Sequence, residues 1–156
     1  VAIKIRQTSN AGDPDWLVLR AEFFPEDFPG EHQQFLEKWA ARQEGFTAFV
    51  ASDENAGLLG FAEVAVRQDY VNGCQFQPAL FLEGIFVREE HRGKGVARSL
   101  CEAAAVFGEQ RGCREFASDV LIDDEQSLAA HAGLGFEETE RVVYFRKLIK
   151  AGSTGK

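Results

Sequence analysis

Cysteine is scarce in this sequence, with three residues among 156. Cys74, Cys101 and Cys113 form neither a Cys-x-x-Cys pair nor a Cys/His set with ligand spacing. That argues against a disulfide framework and against a metal site, and it fits free thiols in a cytoplasmic protein. Long apolar runs are absent as well. No stretch approaches the length of a membrane span, and the first residues lack the pattern of a secretory signal. Positive charge is in deficit: 17 Lys and Arg face 25 Asp and Glu, a formal net charge of −8. No basic face large enough to follow a phosphate backbone can be assembled, so nucleic acid is excluded as a partner and a cationic one is favoured. The sequence also lacks the GxxxxGK[ST] spacing of a nucleotide P-loop, and no GxGxxG follows a strand as a dinucleotide site requires. Internal repeats and low-complexity segments are missing too.

What is present suits one packed domain over residues 1–150, with a small polar tail at 151–156 expected to lie outside it. Hydrophobic residues make up 45% of the chain, and there are fourteen Phe. Ile3 and Ile5 alternate with Lys4 and Arg6 as a short opening strand. Asp13-Pro14 starts a helix, with Asp as N-cap and Pro at the first position; Trp16, Leu19 and Phe23 then share a face. Phe24-Pro25 ends it and Pro29-Gly30 turns. A second helix near residues 31–43 points Phe35, Leu36 and Trp39 inward. Residues 46–51 and 58–66 read as strands joined by a polar loop at 52–57, followed by a longer polar loop at 67–78. Residues 115–120 form another strand, 122–124 lead into a short helix with Leu128, His131 and Leu134 that Gly135 stops, and 141–147 form a last strand.

The organising stretch runs from Leu82 to Glu102. Residues 80–87 are an apolar strand broken by Glu83 and Gly84. Val96, Leu100, Ala103, Ala104 and Phe107 recur at helical spacing. Between them a charged turn, Arg88 to Lys94, closes on Gly93 and Gly95. Glycines there let backbone N–H groups approach a ligand closely. The helix start aims its unpaired N–H groups and positive dipole end at the same place, and Arg92 and Lys94 add full charge. Phosphate oxygens are the ligand this arrangement suits.

Arg92-x-x-Gly95-x-Ala97 after a strand ending in Phe86-Val87 resembles the pyrophosphate motif of the GCN5-related N-acetyltransferases. His131-x-x-Leu134-Gly135-Phe136 is similar to that family's second cofactor-facing motif. The resemblance implies an α/β fold, with a mixed, splayed central sheet flanked by helices, and acetyl-CoA as acetyl donor without a metal. Asp69 to Cys74, Phe81 to Val87, Gly112 to Glu115 with Ala117-Ser118-Asp119, and Leu134 to Arg141 are more narrowly similar to aminoglycoside 6′-N-acetyltransferases. From that likeness, Phe24, Tyr70, Glu83, Asp119 and Glu140 are expected to contact a cationic aminoglycoside. The cofactor is expected on Ile85, Phe86, Val87, Arg92, Gly93, Lys94, Gly95, Val96, Ala97, Arg98 and Asp124. A homodimer is implied in the same way. Three positions depart from the relatives' pattern: Phe24 replaces Trp, Asp124 stands where Asn is common, and His131 takes the place of a frequent Tyr.

The chemistry these residues suggest is direct acetyl transfer to a neutral amine, driven largely by proximity. Backbone N–H groups near Phe86-Val87 are expected to face the developing oxyanion. Glu83 and Asp119 are candidates for clamping ammonium groups, with Asp119 the better placed to take a proton; salt-bridged or solvated structural carboxylates are the alternative. His131 is a candidate proton donor to the departing thiolate, or a helix His with a structural partner. No Ser/His activating pair is evident, and no base pairs with a cysteine. Two other functions remain open at this level. One is acetylation of another amine, such as a polyamine or protein N-terminus; the other is a non-catalytic acyl-CoA-binding module.

Overall fold

The computed structural model describes residues 2–28, 30–42 and 45–150. Pro29 of the expected turn, Gln43 at the expected helix end and the 151–156 tail lie outside these. The elements in order are β1 (Lys4–Thr8), α1 (Pro14–Phe23), α2 (Glu31–Arg42), β2 (Thr47–Asp53), β3 (Gly57–Arg67), β4 (Ala79–Val87), α3 (Val96–Gln110), β5 (Phe116–Ala117) and α4 (Glu125–Gly133). A single turn of 3-10 helix, Glu89–His91, separates β4 from α3.

The five strands form one sheet in sequence order, antiparallel except where β4 pairs parallel with β5. Period-two alternation sorts each strand's side chains to two faces. On one face Leu59, Val64, Leu80 and Leu82 pack against Val96, Leu100 and Phe107 of α3. On the other, Val50, Phe61 and Ala65 meet Trp16 and Leu19 of α1 and Leu36 of α2. Full burial of a Leu or Phe contributes about 1.5–3 kcal/mol, so these two layers carry most of the stability. Asp13 caps α1 as expected, its carboxylate accepting from the backbone N–H groups of Asp15 and Trp16.

Two irregularities position the site. β5 pairs only Leu80↔Phe116 and Phe81↔Ala117, so β4 from Leu82 onward has no partner on that side among the described residues. The expected strand at 115–120 thus shrinks to two residues, and the sheet opens there. Second, the β3–β4 register shifts between Glu63 and Val64: Val64 pairs with Leu82, Glu63 with Gly84, and Glu83 is the extra residue. Such a bulge places one more side chain on a face than regular pairing allows.

The helix at α2 buries Leu36 but leaves Phe35 45% exposed, against the expectation that both point inward. The larger correction is at the C-terminus. Residues 141–147 are in no strand; Val143, Tyr144, Phe145 and Ile149 are exposed, Phe145 at 92%. Apolar alternation shows that a segment is fit to pair, but a strand exists only where a second edge meets it.

Candidate active site

A cleft of ≈ 640 Å³ opens between the end of β4, the turn before α3 and the helix α4. Ile85, Phe86, Val87, Arg92, Gly93, Gly95, Val96, Ala97, Arg98 and Asp124 line it, as does His131. Lys94, expected with them, sits exposed on the turn and off this wall. Gly93 and Gly95 adopt φ of 77° and 85°, a left-handed conformation that glycine takes without strain, and a Cβ added at either meets nothing within 4 Å. The space beside both backbones is therefore open to a ligand. Gly95 is also the N-cap of α3 and offers no side chain to the first-turn N–H groups.

Around this turn the cations divide by role. Arg88 is committed, with Nε 2.9 Å from Glu22 Oε1, Nη2 2.5 Å from Glu22 Oε2, and Nη1 donating to the Leu58 carbonyl. Arg92 donates from Nε to the Val87 carbonyl at 3.0 Å, and Arg98 from Nη2 to the Gly133 carbonyl at 2.9 Å, which ties α3 to α4. Neither ties up a carboxylate, so both retain net charge at the cleft. Asp124 accepts from the Ser127 N–H at 3.0 Å and caps α4, a local duty that sequence pattern did not reveal. His91, Gln126 and Ser127 also line the cleft and were not anticipated. His91 Nδ1 is buried with no partner among the described residues, and the signal in the sequence was its place just before Arg92.

His131 has two partners. Nδ1 lies 2.8 Å from the Ser127 carbonyl oxygen, and Nε2 lies 2.7 Å from Ser118 Oγ. A Ser/His pair is therefore present, contrary to the sequence expectation. Thirteen residues separate the two, and only the fold brings the end of β5 against α4. The cysteines remain outside the chemistry: burial pushes the Cys101 thiol up to about 11, so it is not a thiolate at neutral pH.

None of the five residues expected to contact the acceptor lines this cleft. Glu83, placed by the bulge, is bound by Arg67: Nη2 is 3.0 Å from Oε2 and 3.2 Å from Oε1, and Nε is 3.2 Å from Oε2. Burial raises the Glu83 pKa, Arg67 opposes that, and the charges of Asp119 and Glu63 add to the rise. Asp119 is exposed where β5 has ended. Tyr70 and Glu140 are exposed, and their segments meet, since a Cβ on Gly73 would fall 2.1 Å from Thr139 Oγ1. Phe24 packs on Phe23 at 4.5 Å between ring centroids, and Phe23 stacks on Phe86 at 5.3 Å. This aromatic row reaches the cleft, which Phe23 and Phe86 line.

Beneath it is a buried ion pair that sequence reading did not single out. Arg20 Nη1 lies 2.6 Å from both oxygens of Glu63, and the Trp16 indole N–H donates to Glu63 Oε2 at 2.7 Å. The same guanidinium sits 4.9 Å from the Phe24 ring centroid and 4.8 Å from that of Phe35, which explains why the exposed Phe35 is nevertheless held. Among the described residues, no group of three His, Cys, Asp or Glu can hold a metal ion, and no helix is long and apolar enough to cross a membrane.

Comparison with known proteins places this geometry. The model of the acetyltransferase (GNAT) family matches residues 14–136. An aminoglycoside N(6′)-acetyltransferase type 1 from Stenotrophomonas maltophilia is 45% identical over 143 residues, covering 91% of each chain. The crystal structure of the aminoglycoside antibiotic 6′-N-acetyltransferase AAC(6′)-Ih from Acinetobacter baumannii superimposes with a TM-score of 0.85 at 38% identity, covering 96% of this chain and 100% of that one. AAC(6′)-Iy in complex with the bisubstrate analogue CoA-S-monomethyl-acetylneamine superimposes at 0.84 with 37% identity, again over 96% and 100%.

Proposed function

Since the chain belongs to the acetyltransferase (GNAT) family, we propose that it transfers acetyl from acetyl-CoA to the 6′-amino group of aminoglycosides and so confers resistance to them. The observation that carries this reading is the half-free strand β4. Its C-terminal end borders the cleft of Gly93, Gly95 and the α3 N-terminus, while its bulge presents Glu83 near Asp119 on the acceptor side. One strand thus joins a phosphate-accepting pocket to an acidic, aromatic-walled one.

The cleft residues fit CoA: two left-handed glycines with open space beside them, Arg92 and Arg98 at the rim, and a helix start. Acetyl-CoA supplies the activated acyl group. The protein's share is to hold amine and thioester together and to stabilise the charge that develops on the carbonyl oxygen, using N–H groups of β4 beyond Leu82. Asp119 and Glu140 attract the other ammonium groups, Tyr70 and Phe24 flank the sugar rings, and Asp119 takes the amine's proton directly or through water. His131 returns a proton to the leaving thiolate.

The protein acts in the cytoplasm as a homodimer. The support for a second copy is the exposed apolar series Val142, Val143, Tyr144, Phe145, Leu148 and Ile149, which no part of the described chain covers. Light scattering should give twice the chain mass, and removal of residues 141–150 should reduce it to one.

Neomycin and paromomycin test the positional assignment, because they differ in having a 6′-amine or a 6′-hydroxyl. Neomycin should release CoA rapidly and carry the acetyl on its 6′ nitrogen by NMR, and paromomycin should react far more slowly. Equal rates with acetyl on another ring amine would refute the 6′ specificity. Turnover with histone peptides and none with either drug would refute the substrate class.

A further inference from the structure

Arg67 is the last residue of β3 and pairs across to Ala79. Its side chain runs along the sheet over Phe81, with Cζ 3.5 Å from the ring centroid, and reaches Glu83 with three hydrogen bonds of 3.0–3.2 Å. Strand alternation accounts for the alignment: Ala79, Phe81 and Glu83 point to one face, and Arg67 enters the row opposite Ala79. The Arg67 side chain is 36% exposed and that of Glu83 only 13%. Glu83 therefore has a lid, and the lid is a cation reachable from solvent.

The two ends of this pair differ in what they can do without each other. Glu83 is fixed by the bulge and half-shielded, with the negative charges of Asp119 and Glu63 nearby. Left alone it would face two like charges and bind a proton more readily. Arg67 sits on a long flexible stem at the end of β3, 36% exposed, and can swing into water at the expense of its stacking on Phe81. A guanidinium in this position neutralises the empty site and gives way to another cation.

We propose that Arg67 is a resident counter-cation of the acceptor site: an ammonium group of the substrate displaces it from Glu83, and this exchange sets which amines bind. The idea rests on the aminosugar reading above. An amine with a single charge must replace Arg67 with no other gain, so it binds poorly. A polyamine that also engages Asp119 and Glu140 offsets the exchange. Arg67 is thus a filter against simple amines, acting through competition for one carboxylate and not through a contact with substrate.

Initial rates with neamine, a polyamine, and with 6-amino-6-deoxyglucose, which has one amine, test this in wild type, Arg67→Gln, Glu83→Gln and the double variant. Arg67→Gln should lower KM by about two- to fivefold, the scale of a partly exposed ion pair, and proportionally more for the monoamine. Glu83→Gln should raise KM in both backgrounds, and by clearly more in the Arg67→Gln background, because only there does an ammonium reach Glu83 without displacing a resident cation. Arg67→Lys keeps the charge and loses the two-pronged grip, so it should fall between; it also decides the matter should Arg67→Gln fold poorly. Raised KM in the Arg67 variants, or equal effects of Glu83→Gln in both backgrounds, would overturn the proposal. Absence of turnover by wild type on neamine would instead refute the aminosugar reading itself.

Discussion

The Ser118 hydroxyl lies 2.7 Å from Nε2 of His131, and the orientation of that ring is fixed from its other side by the Ser127 carbonyl. A carbonyl only accepts, so Nδ1 carries a proton, and in the neutral ring Nε2 accepts from Ser118. Neutral His131 therefore has no proton to give at Nε2. To protonate a leaving thiolate it must first be an imidazolium, with Ser118 turning its hydroxyl proton outward. His131→Asn should lower kcat while acetyl-CoA still binds, and Ser118→Ala, which removes the partner of Nε2, should change kcat with little effect on that binding. Unaltered kcat in both would leave His131 as a packing residue of α4.

Gly95 separates conformation from charge. At φ of 85° any other residue is strained, which costs about 1–2 kcal/mol. Gly95→Ala incurs that strain alone, while Gly95→Asp adds a carboxylate where phosphate is to sit. Loss of one charge-assisted hydrogen bond amounts to about 1.5–3 kcal/mol, and repulsion adds to it. Calorimetry should show acetyl-CoA binding weakened much more by Asp than by Ala, with similar thermal stability. Undiminished binding in folded Gly95→Asp would remove this turn from the cofactor site.

Asp119→Asn keeps shape and removes charge. As a clamp alone, Asp119 governs KM; as a proton acceptor it governs kcat too, and higher pH should then partly rescue the variant because more amine is already neutral. Wild-type constants would make it an ordinary solvated residue.

Asp13 links the start of α1 to the acid stability of the fold. The bidentate Arg6 guanidinium, aided by backbone donors, holds its carboxyl well below the usual range. A depressed carboxylate stabilises the folded state above its unfolded pKa, and that gain disappears as pH falls. Asp13→Ala should cost about 0.5–2 kcal/mol at neutral pH, mostly as a lost cap, because Arg6 is half exposed. Denaturant melts should show the gap between variant and wild type closing as pH drops below the ordinary carboxylate range.

Local features were the most legible in the sequence. The Asp13-Pro14 start, the hairpin of β2 and β3, the turn with Gly93 and Gly95 and the arrest of α4 before Gly135 follow from residue chemistry within a few positions. Side-chain partners distant in sequence were not legible. Ser118 with His131, Arg67 with Glu83 and Arg20 with Glu63 are 13, 16 and 43 residues apart. Each pair depends on strand register or on how a helix docks, which residue types alone do not encode. The expected last strand failed for a related reason: Val142 to Ile149 have the composition of a strand, but a strand is a property of two segments and not of one.

The bulge at Glu83 also decouples the two halves of β4. Without it, Phe81, Glu83, Ile85 and Val87 would share one face, and Phe86 would turn toward α3. The inserted residue resets the phase, so that Phe81, Glu83 and Phe86 all look toward α1. Deleting Glu83 would join Leu82 to Gly84 as consecutive partners of Val64 and Glu63, so Phe86 would stay in the aromatic row and only the extra carboxylate would be lost. The strand is in effect two short rulers joined out of step.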